Sequence, residues 1–370
     1  MNKKARLIAY HLPQFHPVAE NDEWWEKGFT EWTNVTKAKP MFRGHYQPRF
    51  PADLGYYDLR VPEVRQAQAD MAESYGIEGF CYYHYWFGNG RQILEKPLNE
   101  IISIGEPDFP FCLCWANETW KGYAYGETTR TLVEQKYPGK DDVEKHFQYL
   151  IKAFSDDRYM KIDGKPIFQI LTPLDMPDPL EMTDTLRELA HQYGLKGLFL
   201  IAGYRALYGW DAIKNGFDGV VSSTFSRAFE PRNRFSLKWV INGILHNKNF
   251  IDNHFLQKLF KRYYRVHSYR DVVANVRITE KYDYDYYPCV LPNWDNTPRS
   301  GVKGHVVTNS TPELFGEHLL EALDYVKEFE PEHKIIFVKS WNEWAEGNYL
   351  EPDKKFGMRY LEIVKKCLYE

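Results

Sequence analysis

The feature that most constrains the fold of this chain is an alternation of short apolar runs with amphipathic segments along nearly its whole length. Eight runs have the length and composition of buried strands: Arg6–His11, Ile77–Tyr85, Pro110–Asn117, Pro166–Leu171, Leu198–Gly203, Gly219–Ser223, Tyr287–Asn293 and Ile335–Trp341. Other segments have the apolar spacing of helices: Val61–Tyr75, Gln92–Ile104, Asp141–Phe154, Leu180–Tyr193, Pro312–Phe329 and Phe356–Leu368. Because a helix returns the chain across the sheet, strands separated in this way pair in parallel.

Eight strands with crossover helices predict an α/β fold of the (β/α)8 TIM-barrel type. The strand-like runs are apolar almost throughout, which is typical of parallel strands covered on both faces. An open, doubly wound sheet is the alternative, but no Gly-x-Gly-x-x-Gly fingerprint follows the first strand. Barrel enzymes of about this length are commonly one domain, and we therefore predict a single catalytic domain over residues 1–370.

Two long insertions interrupt the alternation, after the first and sixth strands. Residues 13–59 are rich in Trp, Pro and Gly, which predicts an ordered segment folded over the barrel mouth. Residues 225–270 contain ten Lys or Arg and two acidic residues, with helical spacing in Leu237–Leu245 and Phe255–Tyr264. A solvated helical face is the favoured interpretation of this basic excess; an acidic glycan or peripheral contact with an anionic membrane is the alternative.

The charge balance and the cysteine pattern exclude several classes of protein. A net charge of −4 and a pI near 6.3 are atypical of a nucleic-acid-binding protein. Five cysteines, an odd number that lies mostly in apolar runs, favour buried reduced thiols and a reducing compartment. No signal-peptide pattern precedes the first strand, and no apolar run is long enough to span a membrane. We expect a cytoplasmic protein with no nucleic-acid partner.

Polar and aromatic residues collect where the predicted strands end. In a (β/α)8 barrel these ends line the active site, and aromatic faces stack on sugar rings. Trp, Tyr and Phe make up 16% of the chain, although such rings also fill barrel cores. We predict that a carbohydrate substrate is bound by Tyr10, His11, Gln14, Trp32, Tyr83, His84, Tyr85, Trp115, Asn117, Glu118, Trp120, Tyr204, Asn293, Trp294, Asp295, Trp341, Asn342 and Trp344.

The sharpest signal for chemistry is a pair of glutamates, Glu343 and Glu346, at the end of the eighth strand. If the backbone coils before Gly347, side chains at positions i and i+3 project to one side and share one pocket. Glycosidic cleavage needs one protonated and one anionic carboxyl, and like charges beside the apolar rings of Trp341 and Trp344 separate two pKa values. We therefore predict these glutamates as catalytic; two surface glutamates on a loop are the alternative.

Other residues of catalytic type give weaker signals. Glu118 and Asp295 are rival carboxylates, and hydrogen bonding to sugar hydroxyls is the favoured role for Glu118. The histidines near the strand ends lack the spacing of metal ligands. Neither a nucleophilic-serine elbow nor a phosphate-binding glycine loop is present. We predict no metal and no cofactor.

Several of these motifs together resemble a known family, the WbsX-type proteins. The resemblance is carried by Tyr10-His-Leu-Pro-Gln14-Phe-His16, Glu20-Asn-Asp22-x-Trp24-Trp25, Gly28-Phe-Thr-Glu31-Trp32, Gly44-His45-Tyr-Gln47-Pro48, Leu54-Gly-Tyr-Tyr-Asp-Leu-Arg60, Gly79-Phe-Cys-Tyr-Tyr-His84-Tyr-Trp86 and Trp115-Ala-Asn-Glu118-x-Trp120. It covers nearly the whole chain except the basic insertion. WbsX-type proteins are described both as glycosyltransferases of polysaccharide biosynthesis and as relatives of glycoside hydrolase family 99.

The eighth-strand motif is also similar to family 99 itself, the endo-α-mannosidases and endo-α-mannanases. That family is a (β/α)8 barrel with two catalytic glutamates in a Glu-Trp-x-Glu-Gly pattern, which Glu343-Trp344-Ala345-Glu346-Gly347 matches. The resemblance implies retention of anomeric configuration through the 2-hydroxyl of the substrate. In that scheme Glu343 removes the proton of this hydroxyl, and Glu346 protonates the leaving oxygen and then activates water.

The leading hypothesis is therefore a retaining glycoside hydrolase, family 99-like and endo-acting on a bacterial polysaccharide or oligosaccharide. The alternative is a glycosyltransferase of O-antigen or capsular polysaccharide biosynthesis. Asp283-Tyr-Asp285 has the spacing of a transferase metal site, but it precedes a strand instead of following one. A non-catalytic glycan-binding module would keep the aromatic residues without needing the glutamate pair.

Overall fold

A computed structural model describes residues 3–122, 130–203, 210–222, 228–229 and 265–370. Within these ranges the predicted strands are present and almost entirely buried. In chain order they are β1 (Arg6–His11), β2 (Gly79–His84), β3 (Phe111–Trp115), β4 (Lys165–Ile170), β5 (Phe199–Ala202), β6 (Gly219–Val221), β7 (Asp285–Tyr287 with Cys289–Val290) and β8 (Ile335–Val338).

The eight strands are parallel and pair in chain order around a barrel. β1 pairs with β2 on one side and with β8 on the other, and the pairing continues from β2 to β6. β7 completes the ring in two pieces, because Pro288 has no N–H to donate to a neighbouring strand. The piece before Pro288 pairs with β6 and the piece after it pairs with β8. The prediction of a (β/α)8 barrel is confirmed.

Helices surround the barrel, and all six predicted helical segments are present. The helices are Ala19–Trp24, Glu31–Lys37, Pro62–Ser74, Lys96–Ile104, Lys140–Phe154, Pro179–Gln192, Tyr269–Val276, Thr297–Ser300, Pro312–Val326 and Arg359–Tyr369. The largest difference from the prediction is the helix expected from Gln92, which begins at Lys96. It starts late because Gln92 forms a β-bridge with Trp86 and Leu94 has a φ of 65°, neither of which is compatible with a helix.

Short elements complete the described part of the fold. Antiparallel pairs join Trp120–Lys121 to Thr131–Val133, Lys161–Ile162 to β4, and Asn342–Glu343 to Asn348–Tyr349; a parallel pair joins Val266–Ser268 to Val306–Thr308. Short 3-10 helices occupy Pro173–Asp175, Gly301–Lys303, Pro331–His333 and Trp344–Glu346. The last of these, inside the pair that follows β8, positions the two predicted catalytic glutamates.

The barrel interior contains polar as well as apolar side chains. The Tyr10 hydroxyl donates a hydrogen bond to Gln169 Oε1 at 2.8 Å, and the Tyr10 ring stacks on Tyr83 with 5.5 Å between centroids. All five cysteines are buried free thiols, as the sequence indicated.

The first insertion packs on the carboxyl-terminal end of the barrel, as expected. Just before the insertion, the Leu12 N–H donates to Asn342 Oδ1 at 2.7 Å. Within it, the Trp32 and Trp344 ring centroids lie 5.4 Å apart, and the Tyr57 hydroxyl donates to the Glu351 carboxylate after β8. The residues between the first and second strands therefore cover the end of the eighth strand. This packing brings side chains that are distant in sequence into contact with the segment around Glu343.

Most of the basic insertion, 225–270, lies outside the described residues. So do the predicted helical segments Leu237–Leu245 and Phe255–Tyr264, and the predicted substrate-binding residue Tyr204. The role of the basic insertion stays a prediction. Among the helices of the described ranges, none is long and apolar enough to cross a membrane.

Candidate active site

The segment after β8 forms a narrow hairpin that holds both predicted catalytic glutamates. Glu343 is paired with Asn348 across the hairpin, and a 3-10 turn carries the chain through Glu346 to Gly347. Gly347 has a φ of 60°, and a Cβ atom there would lie 2.9 Å from the backbone nitrogen of Asp295. The Glu346 carbonyl accepts a hydrogen bond from the same nitrogen at 2.7 Å. The motif therefore ends in glycine because the loop after β7 leaves no room for a side chain.

Glu343 forms an ion pair inside the barrel end. Only 4% of the residue is exposed, and Lys339 Nζ donates to its two carboxylate oxygens at 3.2 and 3.1 Å. The same ammonium donates to the Tyr83 hydroxyl at 2.9 Å and lies 5.9 Å from the centre of the Trp294 ring. Glu343 is thus a buried carboxylate paired with a buried cation, and aromatic rings pack around that cation.

Glu346 has different surroundings, although it lies only three residues further along the chain. Its side chain is 18% exposed, and its Oε1 accepts a hydrogen bond from Arg299 Nη1 at 2.8 Å. Burial raises the pKa of Glu346 to about 7; the positive charge of Arg299 opposes this effect and the negative charge of Glu343 adds to it. At neutral pH this carboxyl is divided between its protonated and ionised forms.

Arg299 connects Glu346 to a second buried carboxylate, Glu31 of the first insertion. Arg299 Nη2 donates to Glu31 Oε1 at 2.8 Å, and the same oxygen accepts from the backbone N–H of Ala345 at 2.9 Å. Glu31 is fully buried. One guanidinium therefore joins a residue of helix Glu31–Lys37 to the hairpin after β8.

Some of the predicted substrate-binding residues lie beside the glutamate pair. Tyr83 contacts Lys339, and the Trp294 ring faces the same ammonium. Burial raises the pKa of Tyr85 far above its ordinary value, and the charges of Glu343 and Glu118 add to that rise, which places Tyr85 near both carboxylates. The Trp120 ring packs edge-on against Tyr85 at 4.9 Å, and Glu118 and Trp120 are both partly exposed.

A second group of predicted residues supports the hairpin from behind. Asn342 accepts from the Leu12 N–H, and the ring N–H of Trp344 donates to Glu351 at 2.6 Å. Trp32 packs against Trp344. These residues are buried and occupied by protein contacts, so their positions favour a structural role.

A third group does not face the barrel mouth. Trp341 is fully buried, and so is Tyr10, although the Tyr10 ring lies inside the barrel 5.9 Å from Lys339 Nζ. His11 contacts Gln68 at 3.2 Å and His84 contacts His146 at 2.8 Å, in both cases in the helix layer. Further predicted positions have protein partners: Trp115 donates to the Trp86 carbonyl, Asn117 joins the ends of β3 and β4 through Thr172, and Asn293 accepts from the Trp294 N–H. Substrate contact at these positions stays a prediction. Gln14 is partly exposed and its carbonyl accepts from Glu31 N–H.

Asp295, the rival carboxylate at the end of β7, is saturated by protein donors. His45 and Gln47 donate to its Oδ2 at 2.7 Å each, and the Thr297 hydroxyl donates to its Oδ1 at 2.6 Å. Burial favours the neutral form, but the hydrogen bond from His45 and the charge of Arg49 outweigh burial and hold the pKa of Asp295 below its ordinary value. Its oxygens are occupied, which favours a structural role over contact with sugar.

Sequence reasoning missed four charged residues of this site. Lys339 gave a local signal, because it is a lysine in an otherwise apolar strand-like run, four positions before Glu343. Glu31 lies inside one of the quoted motifs but gave no indication of its partner. Arg299 and Glu351 gave no signal, because their partners are distant in sequence or apparent only in the fold.

A further buried carboxylate, Glu351, connects the hairpin to the first insertion. Its oxygens accept from the Tyr57 hydroxyl at 3.0 Å, from Gln68 Nε2 at 2.7 Å and from the ring N–H of Trp344. Burial raises the pKa of Glu351 to about 7, against the effect of these donors. Among the residues with assigned structure, no group of three or more His, Cys, Asp or Glu is arranged to hold a metal ion.

Comparison with known proteins gives a family and a fold. The family model described as "Glycosyltransferase WbsX" matches residues 7–364. The uncharacterized protein WxcX of Xanthomonas campestris pv. campestris is 34% identical in strain ATCC 33913 and 33% in strain B100, in each case over 365 residues and 98% of this chain. The chain spans about half the length of these curated relatives, since the match covers 50% of each.

Solved structures agree with the barrel. A glycoside hydrolase-like protein superposes with a TM-score of 0.59 at 15% identity, covering 99% of this chain and 94% of the other. A family 99 (GH99) endo-alpha-mannosidase from Bacteroides thetaiotaomicron gives a TM-score of 0.55 at 14% identity, with coverage of 99% and 97%. At this level of identity the similarity establishes the fold alone.

Proposed function

This chain belongs to the WbsX glycosyltransferase family, and we propose that it is a carbohydrate-active enzyme that cleaves glycosidic bonds with retention of configuration. The proposal assigns Glu346 as the acid/base and Glu343 as its anionic partner. The observation that carries it is the opposite environment of two neighbouring carboxyls. Glu343 is paired with the Lys339 ammonium, whereas Glu346 has a pKa raised to about 7 and keeps part of its surface open.

This division of roles matches the needs of glycoside cleavage. A general acid works best when its pKa lies near the operating pH, because it is then both present in the protonated form and able to give up its proton. The second carboxyl must be ionised to act as a nucleophile or a base. An ion pair with a buried lysine supports that state for Glu343.

The similarity to family 99 favours participation of the substrate's own 2-hydroxyl. In the proposed first step this hydroxyl gives its proton to Glu343, its oxygen bonds to the anomeric carbon, and the glycosidic oxygen leaves with the proton of Glu346. In the second step Glu346 takes a proton from water, and the water oxygen bonds to the anomeric carbon. The bond between O2 and the anomeric carbon breaks, which opens the three-membered ring, and O2 recovers its proton from Glu343. Two displacements at one carbon give retention.

The proposed substrate is a bacterial oligosaccharide or polysaccharide cleaved internally. The partly exposed Trp120 ring, packed edge-on against Tyr85, supplies a surface for stacking, and Glu118 supplies a partly exposed acceptor for sugar hydroxyls. Five buried free thiols support a cytoplasmic location as part of this proposal.

Glycosyl transfer from a nucleotide sugar is the second candidate function, and the description of the matching family favours it. Calorimetry separates the two candidates. A hydrolase is expected to show no binding of nucleotide sugars at millimolar concentration and to release reducing ends from the glycan. Tight binding of a nucleoside diphosphate sugar, with transfer to an acceptor, would replace the first candidate by the second.

The assignment of Glu346 is tested with two substrates of different leaving group. For Glu346→Gln we expect kcat/KM to fall roughly 10³-fold on an unactivated glycan, which needs a proton at the leaving oxygen. On a dinitrophenyl glycoside the first step needs no such proton, so a smaller loss is expected there. For Glu343→Gln a comparable loss is expected with both substrates. The exposed residue Glu313 provides the control, and Glu313→Gln is expected to keep full activity. Full activity of Glu346→Gln on the glycan would refute the assignment.

A further inference from the structure

The Arg299 guanidinium lies between two carboxylates, Glu346 of the hairpin and Glu31 of the first insertion. Each accepts one N–H of the guanidinium at 2.8 Å. A single positive charge opposite two carboxylates cannot balance both, so the three groups together carry a net charge of −1 when both acids are ionised. The less well stabilised carboxyl is then the one that takes up a proton.

The hydrogen-bond donors around Glu31 and Glu346 indicate which of the two carboxyls takes up the proton. Glu31 Oε1 receives a second donor, the Ala345 N–H, whereas its Oε2 is buried without a hydrogen-bond partner in the described part of the chain. Within the ranges that the structure describes, Arg299 is the hydrogen-bond donor recorded for the Glu346 carboxyl, and Glu343 faces it as a like charge. Burial and the charge of Glu343 raise the pKa of both carboxyls. At Glu31 two donors, Arg299 and the Ala345 N–H, oppose that rise, whereas at Glu346 Arg299 alone donates to the carboxyl, so Glu346 is the carboxyl that takes up a proton more readily.

We infer that Glu31 and Arg299 are positioning residues that keep Glu346 able to act as a proton donor. Glu31 takes up part of the positive charge of Arg299, so that the guanidinium orients the Glu346 carboxyl without forcing it to remain ionised. When Glu346 has given its proton to a leaving oxygen, the same guanidinium stabilises the carboxylate that results. This inference rests on the proposed role of Glu346 and extends it to a residue in a different loop.

The charged groups with the largest effects on Glu346 come from four elements of the described structure. They are Arg299 from the helix after β7, Lys339 from the end of β8, Glu31 from helix Glu31–Lys37, and Glu343 from the hairpin itself. Lys339 is already paired with Glu343 at 3.1 Å. Each of the two cations that act on Glu346 thus has a second carboxylate partner, which is Glu343 for Lys339 and Glu31 for Arg299.

Two substitutions are expected to move the pH dependence in opposite directions. In Glu31→Gln the full charge of Arg299 acts on Glu346, so the alkaline limb of kcat/KM moves down by about one pH unit and activity at pH 8 falls about tenfold. Glutamine keeps an oxygen that can accept from the Ala345 N–H. In Arg299→Gln the cation is lost, and the limb moves up by a similar amount. A purely structural contact would lower activity in both variants without moving the limb in opposite directions.

The proton on Glu346 is also measured without turnover. Protein labelled with ¹³C at the glutamate carboxyl is titrated by NMR, with the Glu346→Gln variant identifying the signal. We expect the Glu346 midpoint to fall in Glu31→Gln, to rise in Arg299→Gln, and to stay in place in the exposed control Glu313→Gln. If Glu31→Gln does not fold, Glu31→Ala, which also removes the carboxylate, is titrated in its place.

An unmoved Glu346 midpoint in a folded variant, or shifts of the same sign in both, would overturn the inference while leaving the proposed function intact. The proposed function fails on a different result, which is an unimpaired Glu346→Gln enzyme. The two outcomes are therefore distinguishable.

Discussion

Two carboxyls at neighbouring strand ends show how differently the same chemical group is used in this barrel. Asp295 follows β7 and Glu346 follows β8, and their backbones are joined by a 2.7 Å hydrogen bond from Asp295 N–H to the Glu346 carbonyl. Asp295 is fully buried and receives side-chain hydrogen bonds from His45, Gln47 and Thr297. Glu346 is partly open and is held by Arg299.

The number of donors decides the protonation state of each carboxyl. Donors outweigh burial at Asp295 and hold its pKa below the ordinary value, whereas burial outweighs the one cation at Glu346 and raises its pKa to about 7. A saturated carboxylate stabilises the fold, because its charge is balanced and its lone pairs are used. A buried carboxyl with few hydrogen-bond donors lowers the stability of the fold, but it can exchange a proton with a ligand. Substitutions that remove each feature separately test this difference.

The largest effect is expected at Gly347, where the two regions touch. A Cβ atom at this position would lie 2.9 Å from the Asp295 backbone nitrogen and from Arg49 Cζ, and the φ of 60° adds strain. Gly347→Ala is therefore expected to lower the free energy of unfolding by about 4 kcal/mol. Gly105 is the matched control, because it has the same left-handed conformation (φ 81°, ψ 10°) with open space around it; its substitution by Ala is expected to cost about 1 kcal/mol. Urea unfolding measures both, and equal costs would show that the two strand ends are not in close contact.

A somewhat smaller loss is expected from Asp295→Asn. The amide replaces one acceptor oxygen by a donor facing donors, and it removes the charge that balances Arg49 at 3.7 Å. We expect the free energy of unfolding to fall by about 3 kcal/mol, measured by urea unfolding at pH 7. The exposed residue Asp283 is the control, and Asp283→Asn is expected to be nearly neutral. A stable Asp295→Asn protein with lost activity would place Asp295 among the reacting groups instead.

The sequence predicted the barrel because the signals involved are local. Strand length, apolar composition and helical spacing are each visible within about a dozen residues, and the two glutamates lie within one turn of one another. At β1 and β2, strand alternation divides the predicted substrate-binding residues between two faces. Adjacent residues in a strand point to opposite faces, so Tyr10 and Tyr83 turn into the barrel while His11 and His84 turn towards the helices.

The electrostatics of the site depend on contacts that sequence spacing does not encode. Arg299 is 47 residues from Glu346 and 268 residues from Glu31, so only the folded chain brings the three groups together. Asp295 and Glu346 are both acids near tryptophans in the sequence. Their difference arises from His45, Gln47 and Arg49, which the first insertion brings across the barrel mouth.

The smallest of the three effects is a gain in stability, and it has the opposite sign from the loss at Asp295. The pKa of Glu346 rises from 4.5 to about 7 on folding, so between these values the folded chain keeps a proton that the unfolded chain has released. Stability therefore falls as the pH rises through this window. Glu346→Gln removes the penalty, and we expect its free energy of unfolding to exceed that of the wild type by about 2 kcal/mol at pH 8 and to match it near pH 4. Urea unfolding at both pH values measures the difference, with the exposed Glu144→Gln as the control. A loss of stability at pH 8 would mean that Glu346 is satisfied by its surroundings as Asp295 is, and the contrast between the two strand ends would disappear.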